Sequence, residues 1–551
     1  MRFPRSTRWL SAAAFTAAVA LAAGSAAATT VPDDATDATD TAAPTDACAD
    51  GAATQATEAT QATNAADAAS TPTTEEASGW RRPATANPDA SLVVGAVLEP
   101  TSLDIVTQAG AAIDQVLLDN VYETLLLTND EGTTEAGLVE LPEISEDGCT
   151  YTITVPDGIT FHNGDPLTAS DIVWSLDAFR AETGVGAENL ATIAAVEAPD
   201  DHTVVITLSQ RDNDLLFRLS RREGAVLQAD ATDLGNTAVG TGPFTLSQWN
   251  QGSSITLTRY DGYHGDPAGV AEVTFQYFTD PNAAVNALTS GDADLLTGVN
   301  TDLVGQFEGD DDYVVTQGTT NGEFTLGMNN TREPFDDPDV RRAIRQAIDK
   351  EGYLALLNGF GTIIGSPVPP TDPWYEDLTG VAPYDPEAAA QALRDAGVAE
   401  GTQFTLKWPN FYATTGAEYV ASQLAEVGLQ IEIVPVEFAV WLDEVYTAGD
   451  YDLTAVLHVE PRDIANYANP DYYWHYDNPE VQQLINDAKV APTEDEANDM
   501  IRQAAQIIAE DSPVDWLILQ ADIVVATPNI TGYPTNDTAS RFDASGIEIS
   551  S

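Results

Sequence analysis

Between Thr150 and Leu176 the pattern of hydrophobic and polar positions changes period twice. Tyr151, Ile153 and Val155 alternate with Thr152 and Thr154, the period of a half-buried strand. Pro156-Asp157-Gly158 and then Asn163-Gly164-Asp165-Pro166 turn the chain. Thr168 follows as a helix N-cap with Asp171 three residues on, and Ile172, Leu176 and Phe179 make an i, i+4, i+7 stripe. Similar readings run along the chain. Residues 92–97 are an apolar run closed by the polar turn Glu99 to Asp104, and 111–127 reads as a helix with Ile113, Val116, Leu117, Val121 and Leu125 inward. Residues 203–208 alternate as a strand, Gly240 to Phe244 is a tight corner leading into a hairpin (244–249 with 254–259), and 282–289 reads as a short helix. Asp336-Asp337-Pro338 opens a helix with Val340, Ile344, Ala347 and Ile348 inward. Arg341, Arg342 and Arg345 lie on its other face and are expected at the surface. Thr493 and Glu496 frame a capping box for a helix to Ile508, and 515–525 reads as a buried strand. Strands spaced by helices predict an α/β chain of more than one lobe.

Composition extends this picture at the N-terminus. Arg2, Arg5 and Arg8 precede an apolar stretch to Ala23 and small residues to Ala28, the layout of a signal peptide over 1–28. The Ala/Thr/Asp-rich segment 29–88 holds too few apolar residues to fold and reads as a disordered tether. The signal-peptide layout leads to the expectation of an exported protein, extracellular or associated with the cell envelope. Because nothing later offers eighteen consecutive apolar residues, the mature protein is not expected to span a membrane. With 22 basic and 87 acidic residues the net charge is −65, a field that repels nucleic acid and anionic lipid. The chain has two cysteines, Cys48 and Cys149, which an oxidising compartment would allow to bridge. The position after Leu21-Ala22-Ala23-Gly24, where a lipid-acceptor cysteine would sit, holds Ser25.

The search for catalytic chemistry returns nothing above background. No G-x-S-x-G elbow occurs, none of the five histidines starts an H-E-x-x-H pair, and none of the lysines follows a glycine as a phosphate loop requires. Paired carboxylates cannot be screened among 87 acids, so a glycosidase is unsupported rather than excluded by motif.

The stretch DGCTYTITVPDGITFHNGDPLTASDIVWSL, followed in order by AVGTGPFTL, ITLTRYDGYHG, ALTSGDADLL, LGMNNTREPFDDPDVRRAIRQAIDKE and DNPEVQQLI, resembles the family 5 extracellular solute-binding proteins over roughly 91–551. These are the oligopeptide, dipeptide and nickel receptors of ABC importers. The resemblance implies a two-lobed periplasmic-binding-protein-like fold of type II with a hinge between the lobes. Lobe one would span 89–320 and 518–551 with an inserted subdomain at about 142–235, and lobe two 321–517. It implies a monomeric, non-enzymatic receptor that needs no cofactor. Its partners would be a peptide or other small solute and, in trans, a permease with its ATPase subunits. Within the family the turn Phe161-His162-Asn163-Gly164 is expected to be a structural corner.

The same resemblance places the ligand between the lobes. Its peptide receptors set an acid from a G-W-x-x-D-Y-type loop against the ligand's α-amino group. Here that loop runs from Leu457 to Trp474, with Leu457-His458 in place of Gly-Trp. Glu460 and Asp463 are both candidates for the amine partner, and Arg462 for a carboxylate through its forked donors. His458 invites a nickel-chelate reading, which a lone histidine carries weakly. Trp408, Asn410, Tyr412 and Phe438 are candidates from lobe two; Glu99, Thr101, Ser102, Thr241 and Gly242 are candidates from lobe one. The altered loop leaves a non-peptide amine, an opine-like compound, an oligosaccharide or a metal chelate open beside the peptide.

Overall fold

The structure, a computed structural model, describes Cys48 and residues 86–550. The expected signal peptide and most of the expected tether lie outside the described residues. Cys48 is disulfide-bonded to Cys149, with 5.7 Å between the Cα atoms.

Ten strands form one sheet. Their order is Gln430–Val436, Gln403–Pro409, Leu453–His458, Val314–Met328, Val514–Ala526, Leu295–Leu296, Ser91–Ala96, Glu272–Tyr277, Ser254–Arg259 and Phe244–Asn250. Two long antiparallel strands, Val314–Met328 and Val514–Ala526, belong to both halves of this sheet. Their register breaks between the halves: Thr319 pairs with Ala521, but Glu323 pairs with Leu519. Two extra residues therefore bulge out on the first strand. Gly318 sits just before the bulge, where an added Cβ would strike the Thr535 carbonyl, so only glycine lets the C-terminal segment cross so closely. Apolar clusters cover both faces of each half.

A separate antiparallel sheet of Glu143–Ile144, Thr150–Thr154, Thr203–Leu208 and Ile193–Asp200 carries the opening motif. Helix Ala169–Arg180 packs on it with Ile172, Leu176 and Phe179 almost wholly buried. The Thr168 N–H donates to Asp171 Oδ2 at 2.9 Å, as the cap spacing requires. His162 is a corner post. Its Nε2 donates to the Gly242 carbonyl at 3.0 Å, and its Nδ1 accepts from the Gly240 N–H at 3.3 Å. That bracket fixes the Gly240–Gly242 turn against the opening motif.

Two expectations are corrected. The 111–127 helix stops at Leu117, because Asp119 takes a left-handed φ of 63° and the Asn120 amide turns back to the Val116 and Phe542 carbonyls. The arginines of helix Pro338–Ala347 are not all surface charge. Arg341 and Arg345 are buried and satisfy carbonyls left open at the end of helix Glu494–Asp511. Arg341 donates to the Asp511 carbonyl, and Arg345 to the Ala509 carbonyl, the Ser512 hydroxyl, the Gly365 carbonyl and Asp515. The apolar stripe was legible, but the polar face meets a second helix rather than water.

Candidate functional site

Strand Leu453–His458 ends where the sheet passes from one half to the other. His458 lies directly opposite Glu323 on the neighbouring strand, which sets both side chains on one face. Neither is exposed: Glu323 retains 2% of its surface and His458 1%. His458 Nε2 meets the Tyr473 hydroxyl at 2.9 Å, and its ring stacks on that of Tyr473. Burial pulls its pKa down to about 4, so the imidazole is neutral. Asp463 Oδ2 lies 3.6 Å from its Nδ1, which with a neutral ring is neither an ion pair nor a hydrogen bond. Tyr467, Tyr473, Trp474 and Trp516 bed the cluster in buried aromatic surface.

A third acid arrives from the Pro369–Trp374 segment. Asp372 is 8% exposed, and burial lifts its pKa to about 6 against the pull of Arg462 and Arg221. Glu323 is pushed well above the usual carboxylate range by burial, then by Asp463 and Asp372. Asp463 is pushed up in the same direction by burial, then by Glu460 and Asp372. Asp372 thus raises both of the other carboxyls and Asp463 raises Glu323, an acidic cluster that suits an incoming cation.

The other half of the molecule closes this cluster. Arg462 takes a left-handed φ of 57° and reaches across to Asp214 Oδ1 at 3.1 Å and to the Gly132 carbonyl. Its guanidinium lies over the Phe217 ring, 3.7 Å from the centroid, and over Trp374. Arg221 donates to the Thr538 carbonyl at 2.8 Å, as does Asn321 at 2.6 Å, and Thr371 donates to Asn321. A cavity of about 360 Å³ opens beside Arg462, between Asp214, Phe217, Trp374 and Ile464.

The structure therefore brings His458, Glu460, Arg462 and Asp463 to one seam. Trp408 and Tyr412 instead border a second cavity of about 220 Å³ with Phe324 and Tyr353, and the Tyr412 hydroxyl accepts the Leu457 N–H. Phe438 stacks on Trp441, which is in the core, and Asn410 is exposed and donates to Glu437. Glu99 accepts from the Trp249 indole and the Gly252 N–H, Thr101 is exposed, and Ser102 accepts the Asp104 N–H. Thr241 and Gly242 are packed in the corner held by His162. Glu323, Asp372, Asp214 and Arg221 were missed by sequence reasoning. Glu323 alone leaves a trace there, as an acid entering the run Phe324-Thr325-Leu326.

Asp372 yields a pH prediction for the ligand-free protein. Its folded pKa is about 6 against 3.8 for an unperturbed aspartate, so between these values only the folded state keeps the proton. Stability is full below about pH 4, falls as pH rises to about 6, and is level beyond; the loss from this one group is about 2–3 kcal/mol. Asp372→Asn is expected to flatten that part of the curve and raise the ligand-free Tm at pH 7.5. Calorimetric melts at pH 4.5 and 7.5 check it, and equal pH slopes for variant and wild type would refute it.

Residues 133–475 match the middle region of Bacterial extracellular solute-binding proteins, family 5. The chain belongs to that family. Among curated relatives, the glutathione-binding protein of Salmonella typhi is 26% identical over 504 residues, covering 85% of this chain and 96% of that protein. Di/tripeptide-binding protein 1 of Pseudomonas aeruginosa is 25% identical over 431 residues, covering 69% of this chain and 79% of that one. Two solved structures share the fold. The ABC transporter substrate-binding protein CtaP of Listeria monocytogenes superposes with a TM-score of 0.76 at 18% identity, covering 84% of this chain and all (100%) of that one. The periplasmic binding protein DppA of Helicobacter pylori, solved with the peptide STSA, gives 0.69 at 23% identity over 84% and 98% of the two chains. As a family 5 protein the chain is a solute-binding receptor with a two-lobed α/β fold, and its seam is the place where the halves meet. Among the described residues no helix is long and apolar enough to cross a membrane, and no group of side chains is arranged to hold a metal.

Proposed function

We propose that this protein is an exported receptor that captures a peptide-like ligand between its lobes and delivers it to an ABC importer. The single observation that carries the reading is the buried triad Glu323, Asp372 and Asp463 at the seam, which suits a free α-amino group. Asp463 is its principal partner, being on the loop and buried; Glu460 lies half-buried beside it. Lobe one comprises 89–320 and 518–551, with the inserted subdomain at about 142–235, and lobe two comprises 321–517. The lobes swing about the bulge between Thr319 and Glu323, where the two long strands lose register. Binding alone drives closure, because a ligand that prefers the closed form shifts the equilibrium toward it. The protein works as a monomer beside a permease and ATPase subunits in trans, and releases its ligand chemically unchanged.

Native mass spectrometry of the mature protein tests this, followed by denaturation and identification of what is released. Short peptides with free amino termini, recovered intact, are the expected result. A single non-peptide compound would overturn the peptide reading and leave the receptor; cleaved ligand would overturn the non-enzymatic one.

A further inference from the structure

The inserted subdomain does more than sit beside the seam. Asn213, just after its strand Thr203–Leu208, caps the end of helix Pro479–Lys489 in the other half of the molecule. Its N–H donates to the Lys489 carbonyl at 2.9 Å, and its Nδ2 to the carbonyls of Ala488 and Ala491 at 2.8 and 3.1 Å. The Lys489 carbonyl closes the helix, where no further turn supplies a donor, and Ala491 lies just beyond it. Arg211 adds a bond from Nη1 to the Pro492 carbonyl, and its Nη2 ties the same segment to the Glu146 carbonyl. Asp214 then grips Arg462, whose guanidinium lies over Phe217. Residues 211–217 thus hold two distant segments at once. One of the two carries Asp463.

We propose that residues 211–217 form a clasp that holds the lobes together before ligand arrives. Arg462 is its positioning residue, the link through which the subdomain sets the place of Asp463. This rests on the reading of the seam as the ligand site between hinged lobes. The donors are matched to helix-end carbonyls and the cation to a carboxylate and a ring, so the contact is specific. It is also small, which suits a clasp that must reopen for release. Asp214 is 34% exposed at its side chain, so solvent weakens its ion pair and the Asn213 cap bears more of the load.

The test uses the full mature chain with its disulfide intact and no ligand. Nitroxide labels at Ala181→Cys and Asp487→Cys, both exposed, report the distance between subdomain and helix by double electron–electron resonance. Wild type should give one short-distance population. Asn213→Ala should lower the closed-to-open ratio about tenfold, and Asp214→Ala about three- to tenfold. Combining Asp214→Ala with Arg462→Ala should open the molecule little further than the worse single variant, because one contact is lost in both. Unchanged distances in Asn213→Ala and Asp214→Ala would overturn the clasp. Amide exchange in wild type needs no variant: the Asn213 N–H should be protected without ligand, and exchange at the unprotected rate would overturn the proposal. A wild type that shows both signs but binds neither trialanine nor released cell peptides would sink the peptide reading and leave the clasp standing.

Discussion

Asp463→Asn is expected to weaken binding of a peptide with a free amino terminus by roughly 30- to 1,000-fold, about 2–4 kcal/mol, while N-acetylated peptide binds wild type and variant alike. The size follows from the surroundings of the carboxyl. Asp463 is buried, so its attraction for an ammonium group is poorly screened. His458, 3.6 Å away, is neutral and supplies no counter-charge, and the Arg462 guanidinium is engaged by Asp214. Burial and the neighbouring acids hold the Asp463 pKa up in the empty protein. Ligand ammonium must therefore displace a proton. Affinity should rise with pH as that proton becomes easier to lose, and the observed binding enthalpy should depend on the ionisation enthalpy of the buffer. Isothermal titration with trialanine and N-acetyl-trialanine in two buffers reads both effects. Equal affinity of the two peptides for wild type would remove the amine from the recognition scheme altogether.

Arg345→Ala is expected to cost about 3–5 kcal/mol of stability, measured by urea unfolding. Asp515 is 0% exposed and takes its donors from Arg345 at 3.3 Å and Lys350 at 2.8 Å. Removing Arg345 leaves a buried carboxylate with one cation and strips donors from the Ala509 and Gly365 carbonyls and the Ser512 hydroxyl. It also removes a cation 4.8 Å from the centre of the Trp516 ring. Trp516 flanks Glu323, so the variant should loosen the ligand seam as well as the fold. Arg345→Lys should recover only part of the loss, because one ammonium cannot reach the carbonyls and the carboxylate together. A loss below about 1 kcal/mol for Arg345→Ala would mean that water replaces the guanidinium, and the buried network would lose its structural role.

Much of the architecture is legible in the chain alone. The alternation at Tyr151, Ile153 and Val155 became strand Thr150–Thr154, the Thr168 cap opened helix Ala169–Arg180, and Pro338 opened helix Pro338–Ala347. These features are local: a period, a cap and a proline act within one or two turns, so the sequence carries them whole. The order of motifs likewise carried the family, and with it the loop that holds His458, Glu460, Arg462 and Asp463. What the sequence could not carry was which polar groups meet. Glu323 and Asp372 are two acids among 87; the apolar run after Glu323 hints at its burial, but nothing near Asp372 in the chain separates a buried acid from a solvated one. Arg345 reads as surface charge until another helix covers it. Asn213 reads as a loop residue until its amide reaches carbonyls 275 and 278 positions away. Local periodicity determined the elements; the tertiary structure alone decided the seam, because burial and pairing depend on neighbours brought together by packing and not by order along the chain.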